Sequence, residues 1–181
     1  MPRPSFVELP VMLAAALALG ALAACAGLGD RDPPPGQPSF YINLTQGGQL
    51  DSTAAASMIT GYRRNNGLDA VTLDPTLMRM AQEQASGMAS RNKLDHDATG
   101  KTFSDRVRRS GFDAKVAVEN VSAGYHTLAE AFSGWRDSPP HRANMLLKGA
   151  TRMGIAAAYA PGTKYKMFWS LILAAPDEPR G

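Results

Sequence analysis

The chain has 181 residues, 44% of them hydrophobic and 19% charged, with a formal net charge of +3 and one cysteine. That size holds one ordinary domain plus extensions. A single thiol excludes intrachain disulfides, multi-cysteine zinc sites and CxxC redox motifs.

The N-terminus reads as an address. Arg3 precedes an apolar run from Val11 to Ala24, shorter than the ~20 residues that span a bilayer and suited to a signal-peptide core. The run ends Leu22-Ala23-Ala24-Cys25, which resembles a bacterial lipobox, where small residues precede an acylated cysteine. Ala21-Leu22-Ala23 also fits the small-x-small rule of an ordinary signal peptide. Because the chain's only cysteine falls where a lipobox needs it, residues 1–24 are expected to be a lipoprotein signal peptide, with Cys25 the point of lipid attachment. Residues 25–50 are Gly-, Pro- and Gln-rich, with Pro33-Pro34-Pro35-Gly36 inside, and read as a tether. Phe40-Tyr41-Ile42 is an apolar piece suited to an edge strand or a packing clip. Ala26 after the cysteine suggests outer-membrane sorting in a host with two membranes.

Residues 51–176 carry the patterning of a domain, with residues 177–181 as a tail. Thr53 to Asn65 is helix-prone and stops at Asn66-Gly67. Asp74-Pro75 opens a second helix, with Leu77, Ala81, Ala85 and Met88 on one face. Asn92 to Lys101 is a polar loop carrying His96, and Phe103 to Ser110 is a short helix stopped by Gly111. Lys115 to Tyr125 is a strand containing Glu119. Thr127-Leu128-Ala129-Glu130 fits a capping box for a helix ending near Asp137. Ser138-Pro139-Pro140 starts a helical turn reaching Leu147, with Ser138 as its N-cap. Arg152 to Ala160 and Tyr165 to Ala175 are strands, the last apolar enough for the sheet centre. Helices first and strands late make the class α+β. The densest basic cluster, Arg106, Arg108 and Arg109, has no interleaved aromatic and reads as a solvated helix face, so nucleic acid is not an expected partner.

There is no HExxH, P-loop or Gly-x-Ser-x-Gly elbow. His96, Glu119 and His141 remain as a set able to bind a divalent ion such as zinc. Taken singly, His96 reads as solvated between two aspartates, Glu119 as an outward strand residue and His141 as a surface group.

The stretch Ser138-Pro139-Pro140-His141-Arg142-Ala143-Asn144-Met145-Leu146, preceded by Trp135, resembles the CAP superfamily of cysteine-rich secretory proteins, antigen 5 and pathogenesis-related (SCP-like) proteins, in its bacterial branch. Further matching pieces follow the family's order: Asn65-Asn66-Gly67-Leu68 after Arg63-Arg64, Leu73-Asp74-Pro75, Leu94-x-His96, Glu119-Asn120-Val121, Gly154-Ile155-Ala156 and Phe168-Trp169. The resemblance implies a three-layer α-β-α sandwich with a central antiparallel sheet and a groove faced by His96, Glu119 and His141. It implies a metal held by the two histidines in several members. Eukaryotic members place a second glutamate where this chain has Ser138. Glu130, Ser138 and Asn144 are therefore the further groove candidates, although Glu130 also suits the capping box, and Asn144 suits fixing the local backbone. Trp135 and Trp169 read as core.

The expected function is that of an envelope-anchored, extracytoplasmic binding module. Membrane attachment runs through lipidated Cys25, and the groove holds a small apolar, lipid or cell-wall ligand, with Zn2+ or another divalent cation as the candidate cofactor. The alternative is a metal-dependent hydrolase, a peptidase or cell-wall enzyme, with Glu119 as general base on metal-bound water.

Overall fold

The computed structural model describes residues 36–177. The expected signal peptide, Cys25 and the first part of the tether lie outside them.

The first helix, α1 (Ser52–Asn65), is capped by Asp51, whose carboxylate accepts from Ala54 N. A two-residue strand, β1 (Thr72–Leu73), leads into α2 (Pro75–Arg91), where Asp74 Oδ1 accepts from Thr76 N and Leu77 N and Pro75 takes a position needing no N–H bond. Then come α3 (Phe103–Ser110), stopped by left-handed Gly111, and β2 (Ala114–Ala123). α4 (Leu128–Asp137) follows, then α5 (Pro139–Met145), β3 (Arg152–Ala160) and β4 (Lys166–Pro176).

The strands lie in the order β1-β3-β4-β2. β4 is flanked by antiparallel β3 and β2, and Met167 to Ala175 is buried throughout. A strand covered on both faces needs a continuous apolar run, and that is the run the sequence carries. The sheet departs from a purely antiparallel one at its edge, where β1 pairs with β3 in parallel. β1 is laid there by the short link from α1 into α2.

The side-chain period of two along β4 separates the layers. Met167, Trp169, Leu171 and Leu173 join the core beneath α1, α4 and α5, whereas Ile172 and Ala174 join Leu77, Ala81 and Ala85 of α2. Trp135 of α4 meets Trp169 edge-on at 6.5 Å. Phe103, Val107 and Phe112 extend the α2 core. The result is the expected helix–sheet–helix sandwich. α2 lies close against β3 because Gly154 has no side chain: a Cβ there would run into the backbone of Leu77 and Met78.

The later part of the expected tether belongs to the packed body. Ser39–Tyr41 and Leu44–Gln46 form two 3-10 turns, with Leu44 buried and Phe40, Ile42 and Leu50 against the main core. Ser39 Oγ donates to Asp51 at 2.7 Å, and Leu44 N donates to the His126 carbonyl at 2.9 Å. Of the two expectations for Phe40-Tyr41-Ile42, the packing clip is the one observed. Apolar side chains spaced through a Gly-rich stretch are enough to hold it down.

Candidate functional site

The site is built at the edge of β2 that no strand pairs among the described residues. Register places Glu119 opposite Ile172 and Asn120 opposite Leu171. These partners face opposite layers, so strand alternation sends the two neighbours to opposite sides of the sheet. Glu119 faces the α2–α3 side and Asn120 faces α5.

On the first side, Glu119 is buried, with its side chain 1% exposed. Its carboxylate accepts from Arg106 Nη2 at 2.8 Å on both oxygens, from Ser170 Oγ at 3.3 Å, and pairs with His96 Nδ1 at 2.9 Å. Two buried polar side chains hold the loop carrying His96: Gln84 Nε2 donates to the Asp95 carbonyl at 2.6 Å, and Arg106 Nη2 to the His96 carbonyl at 3.2 Å. The hydrogen bond to Glu119 raises the His96 pKa above its ordinary 6.5, against a smaller opposing effect of burial.

On the second side, Asn120 Nδ2 donates to the His141 carbonyl at 2.9 Å, while Asn144 Nδ2 donates to Asn120 Oδ1 at 2.9 Å and the Glu119 carbonyl at 3.2 Å. α5 is thereby tied to β2. His141 Nδ1 pairs with Ser138 Oγ at 2.9 Å. Burial pushes the His141 pKa below its ordinary value, and the nearby His96 charge pushes it further down.

His96, Glu119 and His141 thus gather at one strand edge, but not as three equal ligands. Glu119 spends both oxygens on Arg106 and one also on His96, so it orients rather than ligates. No group of three or more His, Cys, Asp or Glu side chains able to hold a metal occurs among the described residues. Each imidazole engages an oxygen through Nδ1, and neither Nε2 has a partner among the described residues. A histidine oriented through one ring nitrogen with the other free is the arrangement of a metal-binding imidazole. The two imidazoles thus keep an open ring nitrogen among the described residues, whereas both oxygens of Glu119 are engaged.

The structure places the three further candidates as follows. Glu130 Oε2 accepts from His126 N and Thr127 N while Thr127 Oγ1 accepts from Glu130 N, so its carboxylate closes the capping box of α4 rather than facing a ligand. Ser138 makes no side-chain cap to α5 and turns to His141 instead. Asn144 reaches across to β2 rather than bracing its own helix. Sequence patterning misses two residues. Asn120 enters there only as part of a motif. Arg106 sits in a basic cluster expected to be solvated, yet it is 6% exposed. Its spacing from Phe103 and Ser110 puts it on the inward stripe of α3, a signal that helical periodicity carries.

A family model described as "CAP: Cysteine-rich secretory protein family" matches residues 56–173. The uncharacterized protein YkwD of Bacillus subtilis (strain 168) is 29% identical over 117 residues, covering 58% of this chain and 45% of its own. An extracellular SCP-domain protein of Bacillus anthracis superposes with a TM-score of 0.59 at 24% identity, covering 67% of this chain and 39% of its own. This chain therefore spans under half the length of both. An outer surface protein of Borrelia burgdorferi has a TM-score of 0.63 at 18% identity, over 70% of this chain and 93% of its own. With the family model matching well over half of the sequence, this chain belongs to the cysteine-rich secretory protein (CAP) family.

Proposed function

We propose that this CAP-family protein is an extracytoplasmic binding module, anchored through a lipid on Cys25, whose groove holds a small apolar or envelope ligand beside a divalent cation. The observation that carries the reading is the pair of oriented imidazoles. His96 leans on Glu119 and His141 on Ser138, and each presents Nε2. His96 and His141 would hold the ion. When bound, the cation offers a Lewis-acidic contact for an oxygen of the ligand.

The same geometry weighs against the hydrolase. A general base needs a carboxylate oxygen free to take a proton from water. Glu119 has both oxygens on a buried guanidinium and almost no exposure.

The test is metal analysis of the full chain after zinc loading and desalting. About one equivalent is expected, lost in His96→Ala and in His141→Ala. Equal zinc in the parent and both variants overturns the ion site, and chelator-sensitive turnover of a peptide or murein substrate would replace the binding module with the enzyme.

Anchoring is tested separately. Labelled palmitate should enter the full chain expressed in a bacterial host and be absent from Cys25→Ser. Label retained in that variant defeats the lipid assignment.

A further inference from the structure

Behind the Glu119–His96 pair, α2, α3 and the loop between them enclose a cavity of about 200 Å³. Arg79, Lys101 and Arg109 line it as exposed cations, against a single carboxylate, Glu83. Arg106 lines it too, at 6% exposure.

Every side-chain hydrogen bond of Arg106 leaves from one nitrogen. Nη2 donates to both Glu119 oxygens and to the His96 carbonyl. Nε and Nη1 are buried and have no partner among the described residues. The Phe103 ring centroid lies 5.2 Å from the guanidinium carbon, covering the flat face but offering the N–H groups of Nε and Nη1 no acceptor in their plane. Thr99, on the same cavity, carries a buried hydroxyl that is likewise unpartnered. Buried charged donors are rarely left unbonded, because desolvation without a hydrogen bond costs about 1–3 kcal/mol or more. Arg106 Nε, Arg106 Nη1 and Thr99 Oγ1 line one cavity, whereas the other unpartnered donors among the described residues, Ser122 Oγ and Trp135 Nε1, lie apart from it, and the charge around that cavity is positive.

We infer that this cavity is a binding site for a phosphate-type oxyanion. One unpartnered N–H of the Arg106 guanidinium and the Thr99 hydroxyl form its inner wall, and Arg79, Lys101 and Arg109 close its mouth. The three cations at the mouth outnumber Glu83, which favours an anion, and a phosphate fits better than a carboxylate on geometry: its tetrahedral oxygens accept from the inner wall and from the mouth at once, whereas the two oxygens of a carboxylate lie in one plane. The phosphate is either a free ion or monoester, or the headgroup of an anionic lipid. The site uses neither imidazole Nε2, so it stands or falls independently of the metal reading.

The experiment is calorimetric titration of the full chain with inorganic phosphate in a phosphate-free, low-salt buffer. Saturable one-to-one binding is expected. Lys101→Glu/Arg109→Glu, which alters exposed side chains only, should weaken it by more than about tenfold. Thr99→Val, which changes no charge, should weaken it by roughly threefold or more. Circular dichroism melts confirm that both variants fold. No saturable binding by the parent chain, or affinity unchanged in either variant, overturns the inference. A second titration uses glycerophosphoglycerol, the deacylated headgroup of phosphatidylglycerol. Affinity equal to that of phosphate supports a lipid headgroup as the source, and much weaker affinity supports a free phosphate or monoester.

Discussion

Arg63→Leu is expected to be the most damaging single substitution in the domain, lowering the unfolding free energy by about 4–5 kcal/mol. Arg63 is fully buried in α1, and no carboxylate among the described residues lies within hydrogen-bond reach of it. It donates instead to four backbone carbonyls: Nε to Asp69, Nη1 to Met145 and Leu147, and Nη2 to Ala150, all between 2.8 and 2.9 Å. Three of these acceptors lie at the end of α5 and in the turn before β3, where helical carbonyls have run out of intrahelical donors. Leucine leaves the buried Met145 and Ala150 carbonyls without this donor, at about 1–3 kcal/mol each before relaxation, and strips a bond from the part-buried Asp69 and Leu147 carbonyls. Burial lowers the Arg63 pKa from its ordinary value, but a guanidinium stays charged and its planar fork serves several acceptors at once. Arg63→Lys therefore rescues little, because an ammonium cannot span them. A thermal melt should show a loss of about 15 °C for the leucine variant at roughly 3–4 °C per kcal/mol. A loss below about 4 °C would mean that the turn after α5 is held some other way. The functional consequence is indirect: that turn fixes the end of the helix carrying His141.

Glu119→Gln should cost about 3–5 kcal/mol, because it leaves the Arg106 charge buried without its counter-ion. The Glu119 and Arg106 side chains are 1% and 4% exposed, so solvent does little to compensate. The double substitution Glu119→Leu/Arg106→Met should recover much of the loss, since removing both charges of a buried pair spares the uncompensated one. A double variant no more stable than Glu119→Gln would show that the pair contributes through packing alone. The amide also changes His96. With Glu119 present, the folded His96 pKa lies above 6.5, so protonation favours the folded state. That contribution is complete below pH 6.5 and is lost as pH rises through the higher folded value. In Glu119→Gln the His96 pKa should fall, and this part of the pH dependence should disappear. Imidazole proton shifts followed by NMR across about pH 5–9 read both effects; an unmoved His96 titration would break the link to Glu119. His141 should titrate below 6.5 in either protein, since burial is the larger cause of its shift.

Local chemistry makes much of the fold legible in the sequence. Asp74-Pro75, the Thr127–Glu130 capping box and Gly111 mark element ends because caps and stops act over three or four residues. The apolar length of β4 announces a strand covered on both faces. The site is legible only through motif resemblance. Nothing local says that Glu119 and Asn120, adjacent in sequence, serve opposite faces of the sheet, although a strand's period of two requires it once the register is known. Arg106 misleads because a cluster of arginines reads as solvated when the partner that neutralises one of them lies on another element. The 39–50 segment misleads because its composition is that of a linker while its few apolar side chains find the core.

The lone cysteine, the apolar run before it and the caps need no tertiary information, since each rests on residues within a few positions of one another. The division of labour at the site does. Whether a carboxylate ligates, catalyses or orients depends on which donors surround it, and those of Glu119 come from α3, β4 and the loop after α2. Burial makes the same difference to Arg63 and Arg106: the same side chain is solvated on a surface and a structural cation in a core, because only the interior makes an unpaired charge too costly to leave alone.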